Sequence, residues 1–332
     1  MVTVVVPTLL AGPTLAASLQ SLSIQTLHNF NVVVVDNSGK GLVRNATIPG
    51  IAIIEMDHNV GFGAAINAAI AKSDVPYLAT LNDDAVAHPE WLARMVSAME
   101  SDPRIGSCAS QVRLYAGAPQ LDSAGMLICA DGSSKQRGHL SAPSEFSAST
   151  TVLMPSASAA LYRREMLQQT GGFDGDFFLY CEDTDLGLRA ARLGWTCRYV
   201  ADAIVDHRYS HSAGRVSTLK AYYVERNRMC VAIKNFPLAM LIATPFVAAL
   251  RYFWHVTSLF GGQGAASQFH QEGNGGWRLG WFVLKAHLAV IARLPHLWKQ
   301  RRQIATTARL DNRFFTALLK RHSISARRVA EL

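Results

Sequence analysis

The chain has 332 residues, of which 49% are hydrophobic; this suits one large α/β domain with an appendage, or two ordinary domains, and excludes a disordered chain. Its five cysteines are odd in number and form no CxxC pair, which indicates thiols in a reducing compartment and argues against a disulfide framework or a zinc site. The net charge of +8 comes from the tail, because Trp277 to Leu332 alone contain twelve Lys and Arg against two Asp and Glu.

The first hundred residues alternate short apolar runs with helical segments. The predicted strands are Val2–Val6, Val32–Val35, Ile51–Met56 and Tyr77–Leu81, and the predicted helices are Thr14–Ser23 and Gly61–Lys72. This βαβ order predicts a parallel sheet with right-handed crossovers, whose ligands bind at the carboxyl ends of the strands. No basic segment and no cleavage site precede the first strand, so we expect no secretory signal.

Polar residues directly follow two of the predicted strands. Asp36, followed by Asn37, can accept hydrogen bonds from a base or a ribose hydroxyl, or it can simply form a turn. Asp83 and Asp84 follow Asn82 after the fourth run. Adjacent carboxylates repel each other unless a cation compensates, and Mg²⁺ or Mn²⁺ bridging phosphate oxygens would do so. A capping turn into the next helix is the alternative.

Two glycines, Gly61 and Gly63, precede Asn67 at the start of the second predicted helix. They let the backbone approach a ligand closely, and the helix offers free N–H groups. Ile66 stands where a dinucleotide-binding fingerprint has its third glycine, which argues against hydride transfer. The alternative is an ordinary glycine turn before a helix.

A cluster of acidic residues begins a later predicted helix, beyond an insert over residues 114–150 that is expected to be irregular. Its members are Glu182, Asp183 and Asp185. The helix dipole favours acidic residues there, which is a purely structural explanation. However, the preceding aromatic run Phe177–Tyr180 indicates partial burial, and burial raises the pKa of a carboxylate toward the value that a general base needs.

A histidine is a further candidate ligand. His207 follows another predicted strand end, so its imidazole suits an oxygen-rich metal site. His211, four residues later, is the rival. A lone histidine is more often structural, so the assignment depends on its neighbours.

The pattern beyond about residue 215 is wholly helical. Phe236–Leu250 is a charge-free run of 15 residues, shorter than the ~20 residues of a spanning helix, and we interpret it as buried or interfacial. Further on, tryptophan, leucine and isoleucine recur at helical spacing from Trp277 to Trp298 among basic residues, which is typical of a helix lying in a lipid headgroup layer. A core-packing helix with a solvated basic face is the alternative. Nothing resembles a nucleic-acid-reading element.

Taken in order, these segments resemble family 2 glycosyltransferases with the GT-A fold, particularly the bacterial rhamnosyltransferase-like branch, over about residues 2–230. The motifs that carry the resemblance are Val4-Val-Val-Pro7, Val34-Val-Asp36-Asn37, Asn59-x-Gly61-Phe-Gly63 with Asn67, Leu81-Asn-Asp-Asp84, Gly172-Phe-Asp174, Phe178-Leu-Tyr-x-Glu-Asp183-x-Asp185, His207 with Ser212, and Tyr222-Tyr-x-x-Arg226-Asn227. The resemblance implies an α/β fold that binds nucleotide-diphospho-sugars: a Rossmann-like mixed sheet flanked by helices, with a helical C-terminal extension. We expect a catalytic domain over 1–215, with nucleotide-sugar and metal binding in 1–112 and the acceptor and catalytic part in 113–215, and a basic, membrane-associating helical region over 216–332.

Residue roles follow from the resemblance by position. It places the donor against Pro7, Asp36, Asn37, Gly61, Gly63, Asn67, Asn82 and Asp83. Asn82 stands where the family's DxD motif has its first Asp, which leaves Asp84 as the expected metal ligand, with His207 as the distal one. Asp183 is expected to be the catalytic base. The remaining candidates, on the acceptor side or nearby, are Glu182, Asp185 and Arg226.

The activity implied is an inverting single displacement, dependent on Mn²⁺ or Mg²⁺, from a nucleotide-diphospho-sugar onto an acceptor hydroxyl. Deoxythymidine-diphosphate rhamnose (dTDP-rhamnose) is the first expected donor and a uridine-diphosphate sugar the second. The expected acceptor is a cell-envelope glycan or a lipid-linked acceptor. We expect a cytoplasmic protein attached peripherally to the inner face of the cell membrane, with homo-oligomerisation left open and no nucleic-acid partner. A sugar nucleotidyltransferase is less favoured, because the loop Leu9–Pro13 has no basic residue. A non-catalytic membrane-binding module would need neither Asp84 nor Asp183.

Overall fold

The computed structural model describes residues 1–44, 50–115, 119–208, 218–260 and 276–332, apart from the side chains at 259–260 and 276–279. The chain divides into two compact units. Met1–Met126 with Gln136–Ser212 form the sheet unit, and Leu127–Lys135 with Ala213–Leu332 form the helical unit. The division expected from sequence lies at residue 215 and leaves Leu127–Lys135 in the first domain. The functional meaning of either boundary stays a prediction.

The described strands, in chain order, are β1 (Val2–Thr8), β2 (Phe30–Asp36), β3 (Ile51–Glu55), β4 (Tyr77–Leu81), β5 (Ala85–Ala87), β6 (Ile105–Leu114), β7 (Leu121–Ser123), β8 (Met126–Ile128), β9 (Ser134–Gln136), β10 (Thr150–Val152), β11 (Ala159–Arg163) and β12 (Thr196–His207). Among these residues, β8 and β9 pair with each other, and the other ten strands form one sheet. Its order is β10-β12-β6-β11-β4-β1-β2-β3, with β5 also on β12 and β7 on β6. The neighbours β4, β1, β2 and β3 are parallel, as the βαβ order predicts, and β11 runs antiparallel to β4 and β6, so the sheet is mixed.

Helices cover the sheet, and its central strands are buried on both sides. The described helices of the sheet unit are α1 (Pro13–Ser23), α2 (Phe62–Ala71), α3 (Trp91–Glu100), α4 (Arg164–Thr170) and α5 (Glu182–Arg192). Within β1, Val4 and Val6 belong to one apolar core and Val5 to another on the opposite face. All three are fully buried. The lack of alternation in the first predicted strand is therefore explained by burial on both faces.

Two sequence predictions differ from the structure. The insert over 114–150 was expected to be irregular, yet it contains β7, β8 and β9, each of three residues and too short for a detectable period. The sequence pattern predicts two separate strands, Thr196–Val200 and Ile204–Val205, but both lie in the single strand β12, with a register shift between Val200 and Ile204. A bulge of this kind interrupts the apolar pattern, which is why one strand resembles two.

The described helices of the helical unit are α6 (Thr218–Asn235), α7 (Leu238–Phe260), α8 (Gly276–Thr307), α9 (Asn312–Arg321) and α10 (Ala326–Glu331). α8 packs along α6, and α10 packs along α7. The apolar run Phe236–Leu250 lies largely in α7, where Phe246 is 76% exposed, so this face is not buried in the protein. In the described part of the chain, Leu238–Ser258 is the one helix long and apolar enough to cross a membrane. Length and composition alone do not separate a spanning helix from an interfacial one.

Candidate active site

The carboxyl ends of β1 and β4 bring the turn Asn82–Asp84 against the first strand. β4 is buried along its whole length, and the chain turns as it leaves the sheet, with the Ala85 N–H donating to the Asn82 carbonyl over 3.1 Å. The Oγ1 of Thr8, the last residue of β1, donates to the Oδ2 of Asp83 over 2.6 Å. Polar groups from two neighbouring strands therefore meet at the predicted edge of the sheet.

Three buried side chains, Asp84, His207 and Asp122, form a continuous chain beside this turn. The Nε2 of His207 lies 3.1 Å from the Oδ1 of Asp84, and its Nδ1 lies 2.8 Å from the Oδ2 of Asp122. His207 ends β12 and pairs with Ala85 of β5, which brings its ring next to the turn. The Nδ2 of Asn82 lies 3.3 Å from the same Nε2. The fold thus joins the two predicted metal ligands.

Burial and charge act in opposite directions on these side chains. Burial alone would lower the pKa of His207, but the hydrogen bonds and charges of Asp122 and Asp84 outweigh it and raise the pKa to about 10. Burial would likewise raise the pKa of Asp122, but hydrogen bonds from His139 and His207 hold it at about 2. With no cation bound, His207 is therefore an imidazolium that binds both carboxylates.

The same atoms suit a divalent cation. With its Nδ1–H donated to Asp122, His207 can present a lone pair at Nε2, which is the carboxylate–histidine arrangement of metal sites. Asp84 and His207 would hold the ion through this Nε2 and the Oδ1 of Asp84, which lie 3.1 Å apart. No group of three or more His, Cys, Asp and Glu side chains among the described residues is arranged to hold a metal. Two protein ligands fit an ion whose other ligands are phosphate and water.

Sequence reasoning misses Asp122, because it lies in the insert that was expected to be irregular. One feature marks it: Asp122 is the only charged residue between Arg113 and Asp131. A charge inside an uncharged stretch needs a partner when that stretch becomes a buried strand. In β7 the partners of Asp122 are His207 and, on its other oxygen, His139 at 3.5 Å.

Glu182 and Asp183 begin α5 as predicted, and they differ in exposure. Asp183 accepts hydrogen bonds from the N–H of Ala157 over 3.3 Å and of Thr184 over 2.6 Å, and it remains partly exposed. Glu182 is 7% exposed, and its Oε2 has no hydrogen-bond partner among the described residues. Burial raises the pKa of both carboxyls, and the charge of Asp183 raises that of Glu182 further. A raised pKa with partial exposure is what a general base for an incoming hydroxyl needs.

Consecutive residues connect this acidic pair to the turn after β4. Ala157 donates its N–H to Asp183, and the carbonyl of Ser158 accepts the N–H of Asn82 over 2.9 Å. Consecutive Cα atoms are about 3.8 Å apart, so Asp183 and the turn contact the same short segment just before β11. The structure therefore brings the predicted base and the turn that carries Asp84 to neighbouring residues of the same segment.

The loop that leads into α5 has a strained backbone. Phe178, Tyr180 and Cys181 have φ values of 64°, 69° and 67°, a region that side-chain-bearing residues rarely adopt. Gly61 meets this loop closely, since an added Cβ would lie 2.3 Å from the carbonyl oxygen of Phe178. The N–H of Phe62 donates to the same oxygen over 2.8 Å. Glycine at position 61 is therefore required by the close approach of two backbones.

Gly63 and Asn67 of α2 hold the same loop. Asn67 exchanges two hydrogen bonds with the backbone of Phe173, accepting its N–H over 3.0 Å and donating to its carbonyl over 2.7 Å. A Cβ at Gly63 would lie 2.9 Å from the Cβ of Phe173. The observed role of Gly61, Gly63 and Asn67 is thus to position the loop, and their contact with a donor stays a prediction.

Asp185 also holds this loop. Its side chain is fully buried and pairs with the Nε of Arg189 over 2.7 Å. Arg189 in turn donates to the carbonyls of Thr170 and Gly172, where the loop begins. The observed contacts of Asp185 hold this loop, and its role toward an acceptor stays a prediction.

The polar side chains at the end of β2 form hydrogen bonds with neighbouring residues. Asp36 accepts hydrogen bonds from the N–H and the Oγ of Ser38, over 3.0 and 2.5 Å, and from a further N–H of the same loop. Burial would raise the pKa of Asp36, but these bonds lower it. Asn37 donates to the Oδ1 of Asn59 over 3.0 Å, and Pro7 is buried in β1 beside β2. Contact of Pro7, Asp36 and Asn37 with a nucleobase stays a prediction.

Arg226 belongs to the helical unit. It is 8% exposed, its Nε donates to the Oδ1 of Asn227 over 2.8 Å, and its guanidinium lies 4.8 Å from the ring centroid of Tyr223. Its acceptor role stays a prediction. His211, the rival of His207, lies outside the described residues.

Residues 3–171 match the family model described as "Glycosyl transferase family 2". The N-acetylglucosaminyl-diphospho-decaprenol L-rhamnosyltransferase of Mycobacterium tuberculosis is 30% identical over 241 residues, which cover 64% of this chain and 77% of that relative. The O-antigen chain rhamnosyltransferase RfbN of Salmonella typhimurium is 26% identical over 223 residues, which cover 64% of this chain and 67% of that protein.

Two solved structures share the fold at low sequence identity. The mannosyltransferase PcManGT from Pyrobaculum calidifontis, in complex with GDP-Man and Mn²⁺, has a TM-score of 0.51 and 18% identity, and the match covers 90% of this chain and 87% of that one. GalNAc-T7 with UDP, GalNAc and Mn²⁺ has a TM-score of 0.54 and 14% identity, and the match covers 72% of this chain and 52% of that one. The family match, the relatives and the mixed sheet agree: the chain belongs to glycosyl transferase family 2, has the GT-A fold with a helical C-terminal region, and falls in the rhamnosyltransferase-like branch.

Proposed function

We propose that the protein transfers a sugar from a nucleotide-diphosphate donor to an acceptor hydroxyl by one displacement that inverts the anomeric carbon. The observation that carries this proposal is the contact of Asp183 and the turn Asn82–Asp84 with the consecutive residues Ala157 and Ser158. This arrangement supports a base for the acceptor and a cation site for the leaving diphosphate in one cleft.

Asp183 takes the acceptor's proton in this mechanism. Its carboxylate removes the hydroxyl proton as the acceptor oxygen bonds to the anomeric carbon, and the bond from that carbon to the diphosphate breaks with its electron pair on the diphosphate. Burial raises the pKa of Asp183, which makes its carboxylate a stronger base. Glu182 is more buried than Asp183, so we assign the proton transfer to Asp183.

Asp84 and His207 are the residues that would hold a divalent ion. When bound, the ion neutralises the charge that builds on the leaving diphosphate. Asp122 keeps the Nδ1–H of His207 engaged, which directs Nε2 toward the Asp84 carboxylate. Mn²⁺ accompanies the nucleotide or nucleotide sugar in both similar solved structures, which supports Mn²⁺ or Mg²⁺ here.

The relatives support a choice of substrates. Two of them are named rhamnosyltransferases, so we propose dTDP-rhamnose as the donor. The mycobacterial relative is named for N-acetylglucosaminyl-diphospho-decaprenol, a sugar carried on a lipid diphosphate. We propose an acceptor of the same class, a sugar hydroxyl on a lipid-linked diphosphate of the cell envelope.

The helical unit supports attachment to a membrane surface. Large apolar side chains, each at least 39% exposed, line α7 and α8: Leu238, Ile242, Phe246, Leu250, Phe253, Val256, Trp281, Leu284, Leu288, Ile291, Leu294 and Trp298. We call the six residues on α7 the apolar stripe. The tail from Trp277 to Leu332, which includes nearly all of α8, is strongly basic. Exposed apolar side chains with basic neighbours suit an anionic lipid surface on the cytoplasmic side.

A panel of nucleotide sugars tests this proposal. Purified protein with Mn²⁺ is expected to transfer sugar from dTDP-rhamnose, and Asp84→Asn is expected to remove the transfer. Asp206→Asn is the matched control. Like Asp84, Asp206 pairs with a histidine, but this is His88, and Asp206 lies in β12 outside the group of Asp84, His207 and Asp122. If only a uridine-diphosphate sugar supports transfer, the proposed donor is that sugar and not dTDP-rhamnose. If no donor supports transfer and nucleoside diphosphates with Mn²⁺ give no thermal shift, the proposed enzymatic activity is contradicted.

A further inference from the structure

The first turn of α5 contains three acidic side chains, and they differ in their partners. Asp185 is fully buried and pairs with the Nε of Arg189 over 2.7 Å. Glu182 is also buried, yet it forms no ion pair with any described residue. Burying a carboxylate without a cation is costly, whereas the neutral carboxyl form is much easier to bury. The charge of Glu182 is therefore set by the groups around it.

The hydrogen-bond donors around Glu182 and Asp183 are distributed unevenly. Asp183 accepts the N–H of Ala157 and of Thr184, and it also accepts the Oγ1 of Thr184 over 3.2 Å. The Oε2 of Glu182 has no hydrogen-bond partner among the described residues. Donors that bond to a carboxylate stabilise its charged form. The contacts therefore favour the negative charge on Asp183 and the proton on Glu182.

The stem of the Glu182 side chain packs on α2. A Cβ added at Gly63 would lie 3.6 Å from both the Cβ and the Cγ of Glu182, and 2.9 Å from the Cβ of Phe173. The ring of Phe173 in turn meets the ring of Tyr162 edge to face, with the centroids 5.7 Å apart. The helix α2, Phe62–Ala71, contains no titratable residue. Its side of Glu182 therefore offers no charge that would compensate a carboxylate.

The protonation of Glu182 follows from these surroundings. Burial and the charge of Asp183 raise the pKa of Glu182 to about 8, and the backbone N–H of Glu182 itself acts in the opposite direction. Two adjacent carboxyl groups do not both ionise readily, and the proton stays on the one with fewer donors. Tyr162 of β11 is the other titratable group that faces the pair. Burial, and then the charges of nearby groups including Asp183 and Glu182, raise the pKa of Tyr162, so this phenol is neutral.

We propose that Glu182 is a positioning residue, which stays protonated while the enzyme works and leaves Asp183 as the one negative charge of the pair. A second carboxylate beside Asp183 would make Asp183 hold a proton more strongly, and a protonated Asp183 cannot accept the proton of the acceptor. The neutral carboxyl avoids this while its stem packs against α2. This inference rests on the proposed function, because it explains how Asp183 remains free to act as the base.

The pH dependence of kcat in Glu182→Gln tests this role, because glutamine resembles the protonated acid and does not titrate. The midpoint of the acidic limb, where Asp183 ionises, is expected to be the same in the variant and in wild type. In wild type, kcat is expected to fall above about pH 8, where Glu182 ionises against α2, and the variant should lack this fall. An acidic midpoint lower by about one pH unit or more in the variant would show that Glu182 is charged, which overturns the proposal. An identical alkaline limb in both proteins also overturns it.

Infrared spectroscopy of the full chain detects the proton directly and needs no turnover. At pH 7 we expect the C=O band of a protonated carboxyl, which shifts when glutamate is labelled with ¹³C at its side-chain carboxyl. The band should be absent in Glu182→Gln and present in Glu100→Gln, at an exposed position. No such band in labelled wild type, or a band that persists in Glu182→Gln, overturns the proposal. If the band is present but no donor supports transfer, the proposed function fails and the protonation of Glu182 stands.

Discussion

The sheet unit and the helical unit distribute polar and apolar side chains in opposite ways. In the sheet unit, valines such as Val5 fill both faces of the sheet, and buried acids are gathered where strands end. In the helical unit, Arg228 is 1% exposed and Asp131 is fully buried, while Phe246 is 76% exposed. The first pattern is typical of a site that performs chemistry in a cleft. The second is expected of a unit whose partner is less polar than water.

The exposure of a side chain indicates its role only together with its chemistry and its position in the fold. In the sheet unit the Oε2 of Glu182, and in the helical unit the Nδ1 of His255, are buried without a hydrogen-bond partner among the described residues. The sheet unit therefore contains an unsatisfied carboxyl oxygen, and the helical unit contains an unsatisfied ring nitrogen. The following predictions try to break this division.

The largest effect is expected at the base. Asp183→Asn should lower kcat about 10²–10⁴-fold, because the amide cannot accept the acceptor's proton. Donor affinity, measured by calorimetry with the nucleoside diphosphate, should change little. Glu182→Gln is the matched control and should retain more activity. Greater loss in Glu182→Gln than in Asp183→Asn would transfer the base role to Glu182.

A second effect tests the carboxylate that sequence reasoning misses. Asp122→Asn should weaken Mn²⁺ affinity about 10–100-fold, because the amide no longer fixes the Nδ1–H of His207. Mn²⁺ titration followed by electron paramagnetic resonance, with nucleoside diphosphate present, measures this without turnover. Asp206→Asn should leave the titration unchanged. Equal Mn²⁺ affinity in Asp122→Asn and wild type would remove Asp122 from the site.

A third effect concerns the apolar stripe. Phe246→Glu should weaken binding to phosphatidylglycerol vesicles by about tenfold or more, as burying a phenylalanine side chain contributes roughly 1.5–3 kcal/mol. Vesicle flotation measures the bound fraction. Phe314→Glu is the control, because Phe314 is 64% exposed and belongs to α9, not to the stripe of α7. If both variants lose binding equally, charge rather than the stripe governs attachment.

The smallest effect is on stability and depends on pH. Burial raises the pKa of Glu182 in the folded protein above its ordinary 4.5, so folded protein binds more protons than unfolded chain above that pH and stability falls as pH rises. Glu182→Gln does not titrate and so does not lose stability in this way. Its free energy of unfolding relative to wild type should therefore increase by at least about 1 kcal/mol between pH 5 and pH 8. Denaturant unfolding at the two pH values measures it. Glu100→Gln, at an exposed position, should show no such growth.

Much of the sheet unit is predictable from sequence, because its information is local. Four unalternating apolar runs predict β1 to β4, and polar residues at their ends predict the position of Asp84. The role of Asp122 is not predictable this way, because its partner His207 is 85 residues distant and meets it only through the sheet. The pairing of Asp185 with Arg189 is likewise not predictable from residue type alone, because it depends on the burial of both side chains.

The helical unit is predictable in class but not in contacts. Periodicity predicts helices over this region, and both α7 and α8 are present. Which face of a helix is covered depends on neighbours that are distant in sequence, as with Lys135 of β9 beside Lys220 of α6. For that reason Phe236–Leu250 could be described from sequence only as buried or interfacial.

The central claim is that Asp84, His207 and Asp183 act in one metal-dependent cleft. The most direct measurement is the transfer of rhamnose from dTDP-rhamnose to a sugar-diphospho-lipid, with product configuration determined by nuclear magnetic resonance, in Mn²⁺ and after chelation. We expect transfer only with the metal, with the anomeric configuration opposite to that of the donor. Transfer that persists in chelator, or a product that retains the donor's configuration, would contradict the account.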